Sequence, residues 1–304
     1  MSGSDAADGR PGEQDPAGGP TTRADVLVVH GIWNRQRGMT PGQAAAGLAG
    51  AAREHLARGL AGAGLDHVPP PSVAMAYYAH LLGDEPPPES VPDRAYVRAW
   101  LAAAGAPEPE EQQAALLAPV RQALGLLVRQ RAGGGVLERV RKETTERLSR
   151  LVLAFVQDTD AYTSRPERRR AVRDLVAEAV RDSGARVVVA HSLGSVVAYE
   201  TLHAHPDLEV DLLVTLGSPL GLPALMRKLE PEPHGGRGAR PPGVGRWVNI
   251  ADIGDLVALP PRLTGAYPVD TDVVTDIGLL DPHTLGGYLA NGLTAAALAP
   301  YLPS

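Results

Sequence analysis

The chain has 304 residues, a net charge of −6 and no cysteine. Without thiols there are no disulfides, no cysteine nucleophile and no thiolate metal site, and nothing in the acidic balance suggests the clustered Lys and Arg of a nucleic-acid footprint. The length suits one large α/β domain with a substantial core, and no stretch approaches the ~18 apolar residues that cross a bilayer.

Residues 1–23 are Gly, Pro, Asp and Ser with no apolar core of a secretory signal, so a disordered tail and a cytoplasmic protein are expected. The folded domain should run over 24–304. Its first element is Asp25-Val-Leu-Val-Val-His30, a continuous apolar run typical of a strand buried on both faces. Gly31 ends it. An Ala- and Leu-rich helix over 41–63 follows, then a strand over Val73–Tyr77.

Residues 83–165 lack a convincing buried strand. Leu116, Leu117, Val120, Leu124, Leu127 and Val128 recur at helical spacing, as do Leu137, Val140, Leu148, Leu151, Val152 and Phe155, with Gly133-Gly-Gly135 between the two sets. The pattern predicts a helical insertion, either packed scaffold or a lid.

Strand–helix alternation then resumes. An amphipathic helix spans Arg168–Arg181, its Arg168-Arg-Arg170 run reading as a solvated face. Arg186–Ala190 is a short buried strand, Ser195–His203 a helix and Asp211–Leu216 another strand. Residues 230–245 are a Pro- and Gly-rich surface loop. Strands at Trp247–Ile250 and Val273–Thr275 precede a last helix over Thr284–Ala299. Buried strands alternating with helices imply a mostly parallel central sheet with helices on both faces.

Val189-Ala-His-Ser-Leu-Gly-Ser195 lies between such a strand and a helix. A serine on a sharp strand-to-helix turn needs small neighbours two residues away on each side, and Ala190 and Gly194 supply them. That makes Ser192 the candidate nucleophile. A negatively charged intermediate needs two backbone N–H donors; Leu193, next to the serine, and Ile32, after His30-Gly31, are placed to offer them. His30 itself reads as a packed core residue, and Trp33 and Asn34 as lining the entrance. A serine also needs a base, and the base an orienting acid. Of nine histidines, His234 and His283 lie well downstream. His234 sits in a Gly/Arg/Pro loop, whereas His283 immediately precedes the last predicted helix. Asp255 and Asp252, after the strand at 247–250, both suit the acid, with Asp255 preferred. Ser218, in Gly217-Ser-Pro-Leu220, lacks a following small residue and reads as a pocket-wall turn.

Together, Val-Val-His30-Gly-Ile, Val-Ala-His-Ser192-Leu-Gly, Leu216-Gly-Ser-Pro-Leu220, Asp255-Leu-Val and Pro282-His283 resemble the lipase/esterase branch of the α/β-hydrolase superfamily, and are similar to GPI inositol-deacylase-like lipases. The resemblance covers roughly 24–82 and 165–304. It implies an α/β-hydrolase fold with a helical insertion, a triad of Ser192, Asp255 and His283, an oxyanion hole from the Ile32 and Leu193 amides, and no metal or organic cofactor. The substrate would be a small acyl ester, apolar if the 116–128 helix faces it. An acyltransferase or thioesterase with the same triad, and a non-catalytic binding protein on the same scaffold, are the alternatives.

Overall fold

The computed structural model describes residues 23–32, 34–83, 151, 154–277 and 283–303. The expected tail up to residue 22, most of the expected insertion, Trp33 and Asp281-Pro282 lie outside the described residues. Arg23, the last residue of that tail, donates from Nε to the Gly184 carbonyl.

Six strands form one all-parallel sheet: β1 (Val26–Val29), β2 (Val73–Ala76), β3 (Val187–His191), β4 (Val210–Leu216), β5 (Val244–Asp252) and β6 (Thr271–Thr275). Their spatial order is β2-β1-β3-β4-β5-β6. The order follows from what each run can bury. Strand side chains alternate between faces, and both faces of β1 are lined with valine and leucine. Leu27 and Val29 enter one hydrophobic core, Val26 and Val28 the other. β3 repeats this, with Val188 and Ala190 on the first side and Val187 and Val189 on the second. Each fully buried Val or Leu contributes about 1.5–3 kcal/mol, so a strand apolar on both faces is stable only where helices cover both.

The helices do so. α1 (Pro41–Gly62), α5 (Leu285–Leu289) and α6 (Gly292–Leu298) cover the second core through residues such as Leu56, Leu289 and Leu298. α2 (Pro166–Ser183) and α3 (Leu193–Ala204) cover the first. A helical segment over 154–163 joins that side, burying Phe155 and Tyr162. A short helix, α4 (Pro223–Met226), follows β4.

Three expectations need correction. The single terminal helix is two: α5 stops at Leu289, and Asn291 caps α6 by accepting from the Leu293 amide. Apolar periodicity continues across the break and conceals the cap. α4 escaped notice because four residues are too few to show a period. The arginine run on α2 is not uniformly solvated, since Arg169 is buried, its Nε donating to Glu200 Oε2 at 2.8 Å. An arginine paired with a distant acid cannot be recognised from its own helix.

The chain leaves β1 toward β2 on one side and later places β3 on the other, so the order reverses between β1 and β3. In open parallel sheets, loops at the carboxyl ends of strands part at such a point and leave a crevice.

Candidate active site

At that reversal, β3 runs directly into α3 through Ser192. Its backbone is at φ 55°, ψ −130°, and it is the one non-glycine residue with positive φ among the described residues. Such backbone costs on the order of 1–3 kcal/mol and persists only where surroundings enforce it. They do so here: the Ser192 amide donates to the Leu216 carbonyl at 3.0 Å, extending the β3–β4 ladder, and Ser195 Oγ donates to the Ser192 carbonyl at 2.6 Å.

The turn fits because its neighbours are small. A Cβ on Gly194 would collide with the carbonyl oxygens of Val29 and His30, and one on Gly31 would lie 2.6 Å from Ser192 Cβ. The end of β1 and the turn after β3 therefore touch backbone to side chain. Ala190, the small residue on the other side, is fully buried.

His283 bridges Ser192 and Asp255. Its Nε2 lies 2.9 Å from Ser192 Oγ and its Nδ1 2.7 Å from Asp255 Oδ2. The carboxylate accepts, so Nδ1 carries the proton and Nε2 is left to accept from the serine hydroxyl. All three side chains are buried. Asp255 Oδ1 also accepts from the amides of Val257 at 2.9 Å and Ala258 at 3.3 Å. These bonds fix the carboxylate plane and, with it, the imidazole.

Asp252 is placed differently. Its oxygens accept from the backbone amides of Gly254 and Ile277, each at 2.5 Å, and burial raises its pKa above the ordinary carboxylate value. It ties the turn after β5 to the segment after β6, and the carboxylate facing His283 is that of Asp255. His234 is exposed in its loop. Ser218 is buried, its Oγ 2.7 Å from Ser195 Oγ and accepting from the Leu220 amide.

Tyr288 is the site residue that the sequence pattern did not single out. Its hydroxyl donates to Asp255 Oδ2 at 2.7 Å and accepts from the Asp252 amide at 2.8 Å. Burial first, and the Asp255 charge next, push the phenol far above its usual pKa, so it only donates to that carboxylate. It lies in the first turn of α5, five residues after His283. Leu285, Tyr288 and Leu289 recur at helical spacing and all join the second core, so the pattern reads Tyr288 as one more apolar position.

The loop after β1 faces the same crevice. His30 is fully buried, with Nδ1–H donating to the Gly31 carbonyl at 2.7 Å and Nε2 accepting from the Tyr78 amide at 3.1 Å. Its pKa is lowered to about 4, chiefly by burial, so it is neutral and shapes the loop. Asn34 Nδ2 donates to the carbonyls of Gly31 and Ile32 at 3.1 and 2.8 Å, bracing the segment that carries the Ile32 amide. Leu193 is the first residue of α3, and the amides of a helix's first turn have no carbonyl a turn earlier to bind. They point with the positive end of the helix dipole toward the crevice.

His191, the last residue of β3, is buried with its ring centroid 4.7 Å from that of His283. Its pKa is lowered well below the usual value by burial and then by His283, which keeps this wall of the site uncharged. Among the described residues, no three or more His, Asp or Glu side chains are grouped to hold a metal ion, and no helix is long and apolar enough to cross a membrane.

No protein-family model, curated protein or solved structure matches this chain.

Proposed function

We propose that the chain is a serine hydrolase of the α/β-hydrolase type that cleaves carboxylic esters, with Ser192 as nucleophile, His283 as general base and acid, and Asp255 as its orienting acid. The observation that carries this reading is the relay of 2.9 Å and 2.7 Å from Ser192 Oγ through His283 to Asp255, on a positive-φ turn at the crevice of a parallel sheet. A buried serine held at strained backbone within hydrogen-bond reach of a buried imidazole has no structural need for either feature.

Ser192 Oγ attacks the ester carbonyl while its proton passes to His283 Nε2. Asp255, held by Tyr288 and two amides, steadies the imidazolium. The Leu193 and Ile32 amides receive the oxyanion, a contribution whose loss typically costs about 100- to 1,000-fold per donor. His283 returns the proton to the leaving alcohol as the carbon–oxygen bond breaks, giving an acyl-Ser192. Water then attacks this ester, its proton taken by His283, and the acid and free serine are released.

We assign residues 83–165 to a helical insertion of the hydrolase fold, as the resemblance implies. Within it the described helix over 154–163 packs into the main core through Phe155 and Tyr162, as scaffold does. The test is hydrolysis of p-nitrophenyl esters of increasing acyl length by the wild type and Ser192→Ala. Activity abolished by the substitution supports the mechanism. Equal activity in both proteins would sink it.

A further inference from the structure

The turn Gly217-Ser-Pro-Leu220 has no part in the proton relay, yet it and the last residue of β4 touch the site at three points. The Leu216 carbonyl accepts from the Ser192 amide at 3.0 Å. Gly217, at φ 55°, has no room for a side chain, since a Cβ there would lie 2.7 Å from Asp255 Oδ2 and 2.9 Å from the Tyr288 ring. Ser218 Oγ lies 2.7 Å from Ser195 Oγ. One run of three residues thus meets the nucleophile, the acid and the first turn of α3. We propose that Ser218 and Ser195 are positioning residues for the reaction: their hydroxyls form a directed chain of hydrogen bonds that fixes the Ser192–Leu193 peptide and so aims the Leu193 amide at the oxyanion.

The direction of the chain follows from counting protons. A serine hydroxyl has one proton and two lone pairs. Ser195 Oγ gives its proton to the Ser192 carbonyl at 2.6 Å, so toward Ser218 it can only accept. Ser218 Oγ therefore donates to Ser195 Oγ, and accepts in turn from the Leu220 amide at 3.3 Å. Both serines are buried, where a hydroxyl deprived of its partner is costly.

The Ser192 carbonyl and the Leu193 N–H belong to one planar trans peptide and point in opposite directions. The Ser195 amide at 2.9 Å and the Ser195 hydroxyl both hold the carbonyl back toward α3, and this holds the N–H outward. The ordinary cap is missing. A serine at a helix N-cap usually accepts from an amide of the first turn through its own Oγ, but Ser192 Oγ makes no such bond and faces His283 instead. A nucleophile that reaches its base cannot also cap its helix, and Ser195, backed by Ser218, does the holding in its place. Oxyanion stabilisation depends on a donor fixed before the charge develops. A peptide free to tilt would therefore weaken the transition state more than the bound substrate.

This role rests on the esterase reading, and the experiment distinguishes the two failures. The kcat and KM for a p-nitrophenyl ester, per folded molecule by circular dichroism, are measured for the wild type, Ser192→Ala, Ser195→Ala, Ser218→Ala and the double variant of the last two. The inhibition constant of an alkyl trifluoromethyl ketone is measured alongside. Ser192 Oγ adds to the ketone carbon, the carbonyl electron pair moves to oxygen and the serine proton passes to His283, so the adduct carries the oxyanion. Ser195→Ala should lower kcat by about 10- to 50-fold, less than the about 100- to 1,000-fold for outright loss of a donor, with KM changed less than about threefold. Ser218→Ala should lower kcat by about 2- to 10-fold, as loss of one neutral hydrogen bond predicts. The double variant should match Ser195→Ala, because Ser218 acts only through Ser195. The ketone's inhibition constant should rise by the factor by which kcat/KM falls. Ser218→Ala leaves the Ser195–Ser192 bonds in place and carries the test by itself if Ser195→Ala does not fold. Multiplying effects in the double variant, or a raised KM with kcat and ketone affinity unchanged, would overturn the role. Wild-type activity that depends on Ser192 but is matched by both single variants would overturn it alone. An inactive wild type, or one equalled by Ser192→Ala, would overturn the esterase reading and this role together.

Discussion

Helix α3 is flanked by two polar clusters, each built on a buried carboxylate and a buried tyrosine. One, at its start, joins Ser192, His283, Asp255 and Tyr288. The other, two turns along at Glu200, joins Arg169, Tyr162 and Glu230. In each, a buried carboxylate accepts from a tyrosine hydroxyl, at 2.7 Å for Asp255 and 2.6 Å for Glu200. The partner base makes the difference. Imidazole binds its carboxylate through one nitrogen and keeps a second nitrogen that can take a proton. Guanidinium is a permanent cation with donors only. Arg169 directs its donors to Glu200, to Glu230 at 3.0 Å and to the Lys228 carbonyl at 2.6 Å. The first cluster can move a proton, whereas the second ties α2, α3, the 154–163 helix and the 228–230 segment together. The first also stands at the carboxyl edge of the sheet, where the strand order opens a crevice.

Exchanging the bases' roles tests the contrast most severely. His283→Ala should lower ester hydrolysis by about 10⁴- to 10⁶-fold in kcat with the fold retained, as steady-state rates and circular dichroism would report. A loss below tenfold would place proton transfer elsewhere. Asp255→Asn should cost roughly 10⁴-fold through the wrong imidazole tautomer. Asp252→Asn, away from His283, should cost far less, and the reverse ranking of the two would reassign the acid.

The brace should respond in stability instead. Arg169→Ala leaves the Glu200 carboxylate buried without its cation and should destabilise by about 3–5 kcal/mol in urea unfolding. Its rate per folded molecule should change little. A large fall in kcat with stability unchanged would make Arg169 part of the reacting site.

Buried histidines near the crevice predict a pH dependence of stability. His30 has its folded pKa lowered to about 4 from 6.5. As pH falls, the unfolded chain takes up this proton first. The stabilisation is therefore complete above about pH 6.5 and is lost toward about pH 4, a change of roughly 3 kcal/mol. His191, lowered by burial and His283, acts in the same direction, and Asp252, raised by burial, opposes it. His30→Asn should flatten the fall in unfolding free energy, read from urea titrations across this window, by up to about 1.4 kcal/mol per pH unit. An unaltered slope would mean that His30 titrates normally.

The smallest effect distinguishes the two tyrosines. Tyr288→Phe removes one charge-assisted hydrogen bond from Asp255 and should reduce kcat by roughly 10- to 100-fold, with KM nearly constant. Tyr162→Phe, in the brace, should lower the melting temperature and leave kcat alone. Matching kinetic profiles for the two variants would erase the distinction.

The strand runs, the small residues around Ser192 and the chain order of Ser192, Asp255 and His283 were all legible in the sequence. Each depends on local requirements: β-branched residues for a strand covered on both faces, a missing side chain where backbones touch, a histidine before a terminal helix. The sequence favoured Asp255 over Asp252 without excluding the second, because three residues on one turn leave both carboxylates within reach. Only the folded chain decided it, by directing the amides of Gly254 and Ile277 to Asp252 and those of Val257 and Ala258 to Asp255. Tyr288, the burial of Arg169 and the break at Asn291 were likewise decided in three dimensions. Each depends on a partner distant in sequence or on a capping bond that apolar periodicity does not register. Local chemistry written along the chain determined where the reactive groups could stand, and the packing of strands and helices determined which of them meet.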